Sequence, residues 1–100
     1  MVTVMLKIIA RSIVKPECME EYMSVVKELV EKSQAEEGNI TYTLNQEKDN
    51  PCKVAFLEEW KSQAAFEFHT KTEHFTGIIP KLKVFLESSE PTEFFTEVKF

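Results

Sequence analysis

Residues 40–60 read ITYTLNQEKDNPCKVAFLEEW. Ile40, Tyr42 and Leu44 alternate with Thr41, Thr43 and Asn45, the period of a strand with one apolar side. The segment KVAFLEEW, Lys53 to Trp60, reads as a second strand whose middle is apolar on both sides. Between them KDNP is turn chemistry, because Asp and Asn accept left-handed backbone and Pro51 brings no N–H to a ladder. A hairpin is therefore predicted in the middle of the chain, and it constrains what the flanks must supply.

On its N-terminal side, residues 3–13 (TVMLKIIARSI) place Val4, Leu6, Ile8 and Ala10 on one side of a strand. On the other side Met5 and Ile9 alternate with Lys7 and Arg11. Pro16 then opens a helix, with Glu17, Glu20 and Glu21 at the positive end of its dipole. Met19, Tyr22, Met23, Val26, Leu29, Val30 and Ser33 form its single inward stripe, and Gly38 is expected to stop it in a left-handed conformation. On the C-terminal side, Ser62 caps a short helix running to about His69. The segment EHFTGIIPKLKVFLES is predicted as further helix, broken at Gly77 and Pro80. Finally TEFFTEVKF makes a last strand, with Phe94, Thr96, Val98 and Phe100 on one side and Phe95, Glu97 and Lys99 on the other.

The order β-α-β-β-α-β defines an α+β chain of the ferredoxin-like, split βαβ kind: one domain over residues 1–100, a four-stranded antiparallel sheet, helices on one face. The opposite face should then be polar, yet both sides of KVAFL and most of VMLKIIA are apolar. A second copy packed sheet against sheet accounts for this, so a homodimer is expected, with the Phe-rich terminal strand placed to cross to the partner.

Composition narrows the partners. A formal net charge of −5, with 12 Lys and Arg spread along the chain, lacks the basic stripe that nucleic acid requires. The apolar run at the N-terminus is too short for a membrane span and has no leader pattern, so a cytoplasmic protein without membrane partners is expected. Cys18 and Cys52 match no redox or zinc spacing and are expected as unpaired thiols.

Residues 58–75, EEWKSQAAFEFHTKTEHF, hold the only tryptophan and both histidines. His69 and His74 are five residues apart, about 140° around a helix, with a turn expected between them and no Cys or HExxH pattern nearby, so a shared metal site is not expected. Glycine-rich phosphate loops and nucleophile elbows are absent, and no cofactor is expected. What remains is proton chemistry. Glu58 shares a side of its strand with Val54, Phe56 and Trp60, where lost solvation would raise its pKa, unless it lies solvated at the strand end; Glu59 points the other way. His69, among Ala65, Phe66 and Phe68, could act as acid, base or donor, or simply be a satisfied structural residue. His74 could equally cap a helix start.

Three stretches, VKPECMEEY, EEGNITYTLNQEKDNP and FLEEWKSQAAFEFHTKTEHF, together resemble the antibiotic biosynthesis monooxygenase (ABM) family of small dimeric ferredoxin-like proteins. Gly38, Tyr42, Glu58, Trp60, His69, His74 and Phe75 occupy that family's recurrent positions. The resemblance implies a dimeric α/β barrel and cofactor-independent oxidation of a quinol or polyphenol by dioxygen. In that reading His69 and Glu58 are catalytic, and Trp60, Tyr42, Phe56, Phe75 and His74 line the substrate pocket. Relatives that degrade haem use a first-strand Asn, a Trp in the short helix and an axial His. Here KIIARS has no Asn, His69 stands at the Trp position and Ile79 at the His position, which argues against haem. Two other readings stay open: an oxygen-independent isomerase of a small phosphorylated metabolite, its anion held by Lys61, Lys71 or Lys81, and a non-catalytic dimer binding a small aromatic molecule.

Overall fold

The computed structural model describes residues 4–100, so the start of the predicted first strand at Thr3 lies outside the described residues. Five strands, β1 (Leu6–Val14), β2 (Asn39–Glu47), β3 (Asn50–Trp60), β4 (Leu86–Ser89) and β5 (Glu93–Phe95), form one antiparallel sheet. Three α-helices, α1 (Met19–Gln34), α2 (Gln63–His69) and α3 (Glu73–Lys83), complete the ferredoxin-like α+β fold. The sheet order is β2-β3-β1-β4, with β5 also paired to β1.

The predicted hairpin is present, with a tighter turn. Glu47 pairs with Asn50, and Pro51 stands inside β3 at its start, where a missing N–H is tolerated. In register, Ile8 and Tyr42 flank Glu58 from the two neighbouring strands, and Ala10 and Leu44 flank Phe56. These side chains face the helices. Leu6, Ile8, Tyr42, Val54 and Trp60 are buried there against Tyr22, Val26 and Leu29 of α1 and Ile78 and Leu82 of α3, as the inward stripe of α1 requires.

Four local expectations need correction. First, α1 ends at Gln34 with Ala35 still right-handed, and no glycine takes a positive φ. Gly38 is required for space instead: a Cβ there would lie 2.5 Å from the Cβ of Ala65. Second, α3 runs unbroken through Gly77 and Pro80, anchored by Phe75, Ile78, Ile79 and Leu82 at helical spacing. Third, the helix stops before Leu86, and Leu86–Ser89 forms a fifth strand where helix was expected. Fourth, the last strand is only Glu93–Phe95. Lys7 pairs with Phe95 and β1 begins one residue earlier, so residues 97–100 run past the end of their partner. β4 and β5 thus share one edge of β1, interrupted at Glu90, Pro91 and Thr92, with Glu90 N–H donating to Arg11 O at 3.0 Å.

The face away from the helices has an apolar centre, Ile9 paired with Leu57, bordered by Ala55 and by the Lys7–Glu59 and Arg11–Glu93 ion pairs. Leu57, Phe94, Phe95, Val98 and Phe100 are exposed large apolar side chains. Cys18 and Cys52 are both free thiols. Among the described residues no helix is long and apolar enough to cross a membrane.

Candidate active site

A cavity of about 400 Å³ lies between the helix-facing side of the sheet and α1, α2 and α3, closed at one end by the interruption between β4 and β5. Its floor includes Ile8, Ala10, Tyr42, Phe56 and Glu58; its roof includes Tyr22, Phe66, His69, Phe75 and Ile79. Glu90, Pro91, Thr92 and Phe94 supply the end wall, and Phe94 packs edge-on against Phe66 at 5.5 Å. The walls are mostly apolar and aromatic, with a few polar groups directed inward, as small-molecule sites are.

His69 is the last residue of α2, a short helix held at its start by Ser62, whose Oγ accepts from Ala65 N–H at 3.1 Å. The turn that follows is fixed by Thr72. Its hydroxyl donates to His69 O at 2.8 Å and accepts from Phe75 N–H at 3.2 Å, so one group closes α2 and caps α3. The His69 ring is 1% exposed and sits 4.4 Å from Trp60, 5.0 Å from Phe75 and 5.5 Å from Tyr42.

Because a separate helix begins between them, the two histidines do converge, against the helical-wheel expectation. His69 Nδ1 lies 2.6 Å and His74 Nε2 2.7 Å from the same atom, Oε2 of Glu36. A carboxylate oxygen offers only lone pairs, so each facing nitrogen serves as the donor in the tautomer that carries its hydrogen, the one that in a neutral His69 leaves Nε2 bare. The three ligating atoms lie within 4.8 Å of one another, so a metal ion has to be weighed. Two nitrogen or oxygen ligands of a tetrahedral zinc ion stand about 3.3 Å apart, given bonds near 2.05 Å. The 2.6 and 2.7 Å separations are hydrogen-bond lengths, and the cluster is built as a hydrogen-bonded group.

Glu58 is buried, and its Oε1 accepts from Trp60 Nε1–H at 2.9 Å. Burial pushes its carboxyl up to about 7, aided by the charge of Glu36 and opposed by the Trp60 hydrogen bond. Burial also holds His69 below its usual range, opposed by its hydrogen bond to and the charge of Glu36, with His74 lowering it further. Tyr42 is held far above the usual phenol range, chiefly by burial. Near neutral pH the same cavity therefore holds a neutral imidazole and a carboxyl close to the midpoint of its titration, a combination suited to taking one proton and donating another.

Of the residues singled out from sequence, His69, Glu58, Tyr42, Phe56 and Phe75 line this cavity. Trp60 does not: it is fully buried beneath His69 and holds Glu58. His74 stands behind the wall and reaches it through Glu36. Lys61, Lys71 and Lys81 are not among the lining residues; the cations there are Lys83 and Arg11, the latter paired with Glu93. Glu36 itself was missed. It sits between α1 and β2, where no periodicity marks an inward residue, and only its place in the EEGNITY stretch hinted at it.

A ferredoxin-like domain with a cavity lined largely by apolar and aromatic groups and a histidine–carboxylate cluster is the class of protein that fold and site define. More particularly, the chain belongs to the antibiotic biosynthesis monooxygenase family, whose model matches residues 5–81. It is 43% identical over 75 residues, 75% of this chain and 79% of the other, to a Bacillus subtilis (strain 168) protein named "Putative monooxygenase YcnE". A conserved protein from Methanosarcina mazei Go1, solved by crystallography, superposes with a TM-score of 0.85 at 35% identity, over 98% of this chain and 95% of that one. A crystal structure of an antibiotic biosynthesis monooxygenase superposes with a TM-score of 0.82 at 30% identity, over 95% and 98% of the two chains.

Proposed function

We propose that this protein is a monooxygenase that oxidises a quinol or polyphenol with dioxygen, using its own side chains without a bound cofactor. The observation that carries the reading is the pairing, in one cavity lined mainly by apolar and aromatic groups, of a neutral His69 with a Glu58 whose carboxyl is raised to about 7. Dioxygen accepts electrons from an electron-rich anion far more readily than from a neutral phenol, so the first requirement is a base. His69 Nε2 takes the phenolic proton. Glu58, as the acid, donates to a second substrate oxygen, and Tyr42, Phe56 and Phe75 hold the ring in apolar surroundings. For a phenol with an activated CH2, as in an anthrone, the carbon gives up two hydrogens, one oxygen atom becomes its carbonyl and the other leaves as water; the substrate supplies all the electrons.

The working unit in this proposal is a homodimer, with a second copy on the Ile9–Leu57 face and the exposed Phe95, Val98 and Phe100 reaching across. The rim of that face carries both signs of charge, Lys7 with Glu59 and Arg11 with Glu93, so it can complement itself. The phosphorylated-substrate reading is the weaker one, since Lys83 is the one lining cation without an ion-pair partner among the described residues. Oxygen uptake by the metal-stripped protein with hydroquinones and anthrone-type phenols, corrected for autoxidation, tests the proposal. Enzyme-dependent uptake that falls at least 100-fold or so in His69→Ala is expected; uptake unchanged in that variant would sink the assignment.

A further inference from the structure

One oxygen of Glu58 is taken by Trp60, and the carboxylate that touches the His69 ring belongs to another chain segment. We propose that Glu36 is the positioning residue of the site, clamped between His69 and His74 so that His69 presents a bare Nε2 to the cavity and is stabilised once it accepts a proton. The part of this statement that concerns turnover rests on the monooxygenase reading above; the part that concerns the tautomer does not.

Three observations carry it. The backbone of Glu36 is anchored on both sides, its N–H donating to Ser33 O at 3.1 Å and its carbonyl accepting from Asn39 N–H at 3.0 Å, so the side chain starts from a fixed place. That side chain is only 6% exposed, and its Oε2 takes both imidazole N–H groups at 2.6 and 2.7 Å. Its other oxygen, Oε1, is buried with no hydrogen-bond partner among the described residues, so among these the two histidines alone orient the carboxylate. Ring and carboxylate must therefore hold each other. His74, at the second position of α3 and 12% exposed, is the outer jaw of the clamp.

The proton step balances within these atoms. The substrate O–H breaks, its proton forms a bond to His69 Nε2, and the electron pair stays on the substrate oxygen. His69 becomes an imidazolium whose Nδ1–H remains donated to Glu36, and the carboxylate stabilises that charge without itself being protonated, the division of labour seen in histidine–aspartate pairs. The groups facing His69 are Glu36 from the loop after α1, His74 and Phe75 from α3, Tyr42 from β2, and Trp60 and Glu58 from β3.

The test is histidine nitrogen NMR on the isotope-labelled protein, alongside kinetics of Glu36→Gln, His74→Gln and His74→Phe. In the wild type, His69 is expected with Nδ1 protonated and Nε2 bare; the opposite tautomer would overturn the proposal, and this readout stands even if a variant fails to fold. Glu36→Gln should lower the His69 titration midpoint and cut kcat by about 100- to 10,000-fold with KM little changed. His74→Gln keeps an N–H for the carboxylate and should stay within about tenfold of wild type, whereas His74→Phe should fall with Glu36→Gln. A His69 tautomer and midpoint indifferent to Glu36→Gln would refute the clamp. If the tautomer is as expected and no phenol is oxidised by any form, the monooxygenase reading fails and the positioning role stands.

Discussion

Glu58→Gln should make the protein more stable above pH 4.5, by a margin that grows until about pH 7 and then stays constant. Each tenfold change in an ionisation constant between folded and unfolded chain is worth about 1.4 kcal/mol. A carboxyl raised by burial from 4.5 to about 7 therefore corresponds to a penalty of about 3 kcal/mol for the folded state once the group ionises. The sign follows from proton counting. Below 4.5 both states hold the proton and nothing is lost; between 4.5 and about 7 the unfolded chain releases it while the folded chain keeps it; above that the full penalty applies. Glutamine is neutral throughout, and its carbonyl oxygen can still accept from Trp60 Nε1–H. The pH dependence of His69 runs the other way, its stabilising share being present above 6.5 and lost on acidification, but it is common to both proteins and cancels in the difference. Urea unfolding followed by circular dichroism, at one protein concentration from pH 4 to 8.5, should show the variant's advantage growing by about 3 kcal/mol across that range. A difference independent of pH would refute the claim that Glu58 is held protonated by its surroundings.

The kcat/KM profile for phenol oxidation should be a narrow bell, falling on the acid side through His69 below 6.5 and on the alkaline side through Glu58 near 7; in Glu58→Gln the alkaline limb should disappear. Gly38→Ala should cost about 1–3 kcal/mol in chemical denaturation, because the new Cβ meets Ala65, and the double variant with Ala65→Gly should recover most of the loss. Leu57→Asp, at the apolar centre of the uncovered sheet face, should convert a dimer to a monomer in sedimentation velocity while leaving the circular dichroism spectrum unchanged. A monomeric wild type would remove the basis for that expectation.

The fold was legible wherever one period ruled a whole element. Tyr42, Leu44, Phe56 and Glu58 alternate at period two and do face the helices, and the stripe of α1 faces the core, with Tyr22, Val26, Leu29 and Ser33 buried and Met19, Met23 and Val30 half-buried against it. It failed where a local breaker was given more weight than packing. Gly77 and Pro80 do not break α3, because four apolar anchors hold the helix on either side of them. The strand at Leu86–Ser89 was absorbed into helix because a four-residue edge strand is too short to show a period of its own. In the site, Glu58 was readable because its neighbours on one strand face are named by the sequence. Glu36 was not, because it stands 33 residues before His69 in a loop, and only the packing of three elements brings the two together. The convergence of the two histidines on Glu36 was hidden for a related reason: their 140° offset applies only along one helix, and where Thr72 starts another the sequence does not say which way the turn directs His74.

The central claim is that dioxygen is spent on the substrate in a site built from Glu58, His69 and their aromatic surroundings. Turnover of an anthrone-type phenol under isotope-labelled dioxygen, with the metal-stripped protein and rapid quenching, addresses it directly. The account predicts one labelled oxygen atom per product molecule, formed at a rate that depends on wild-type protein and is lost in His69→Ala. Product formed without label, or at the same rate in the variant, would contradict it.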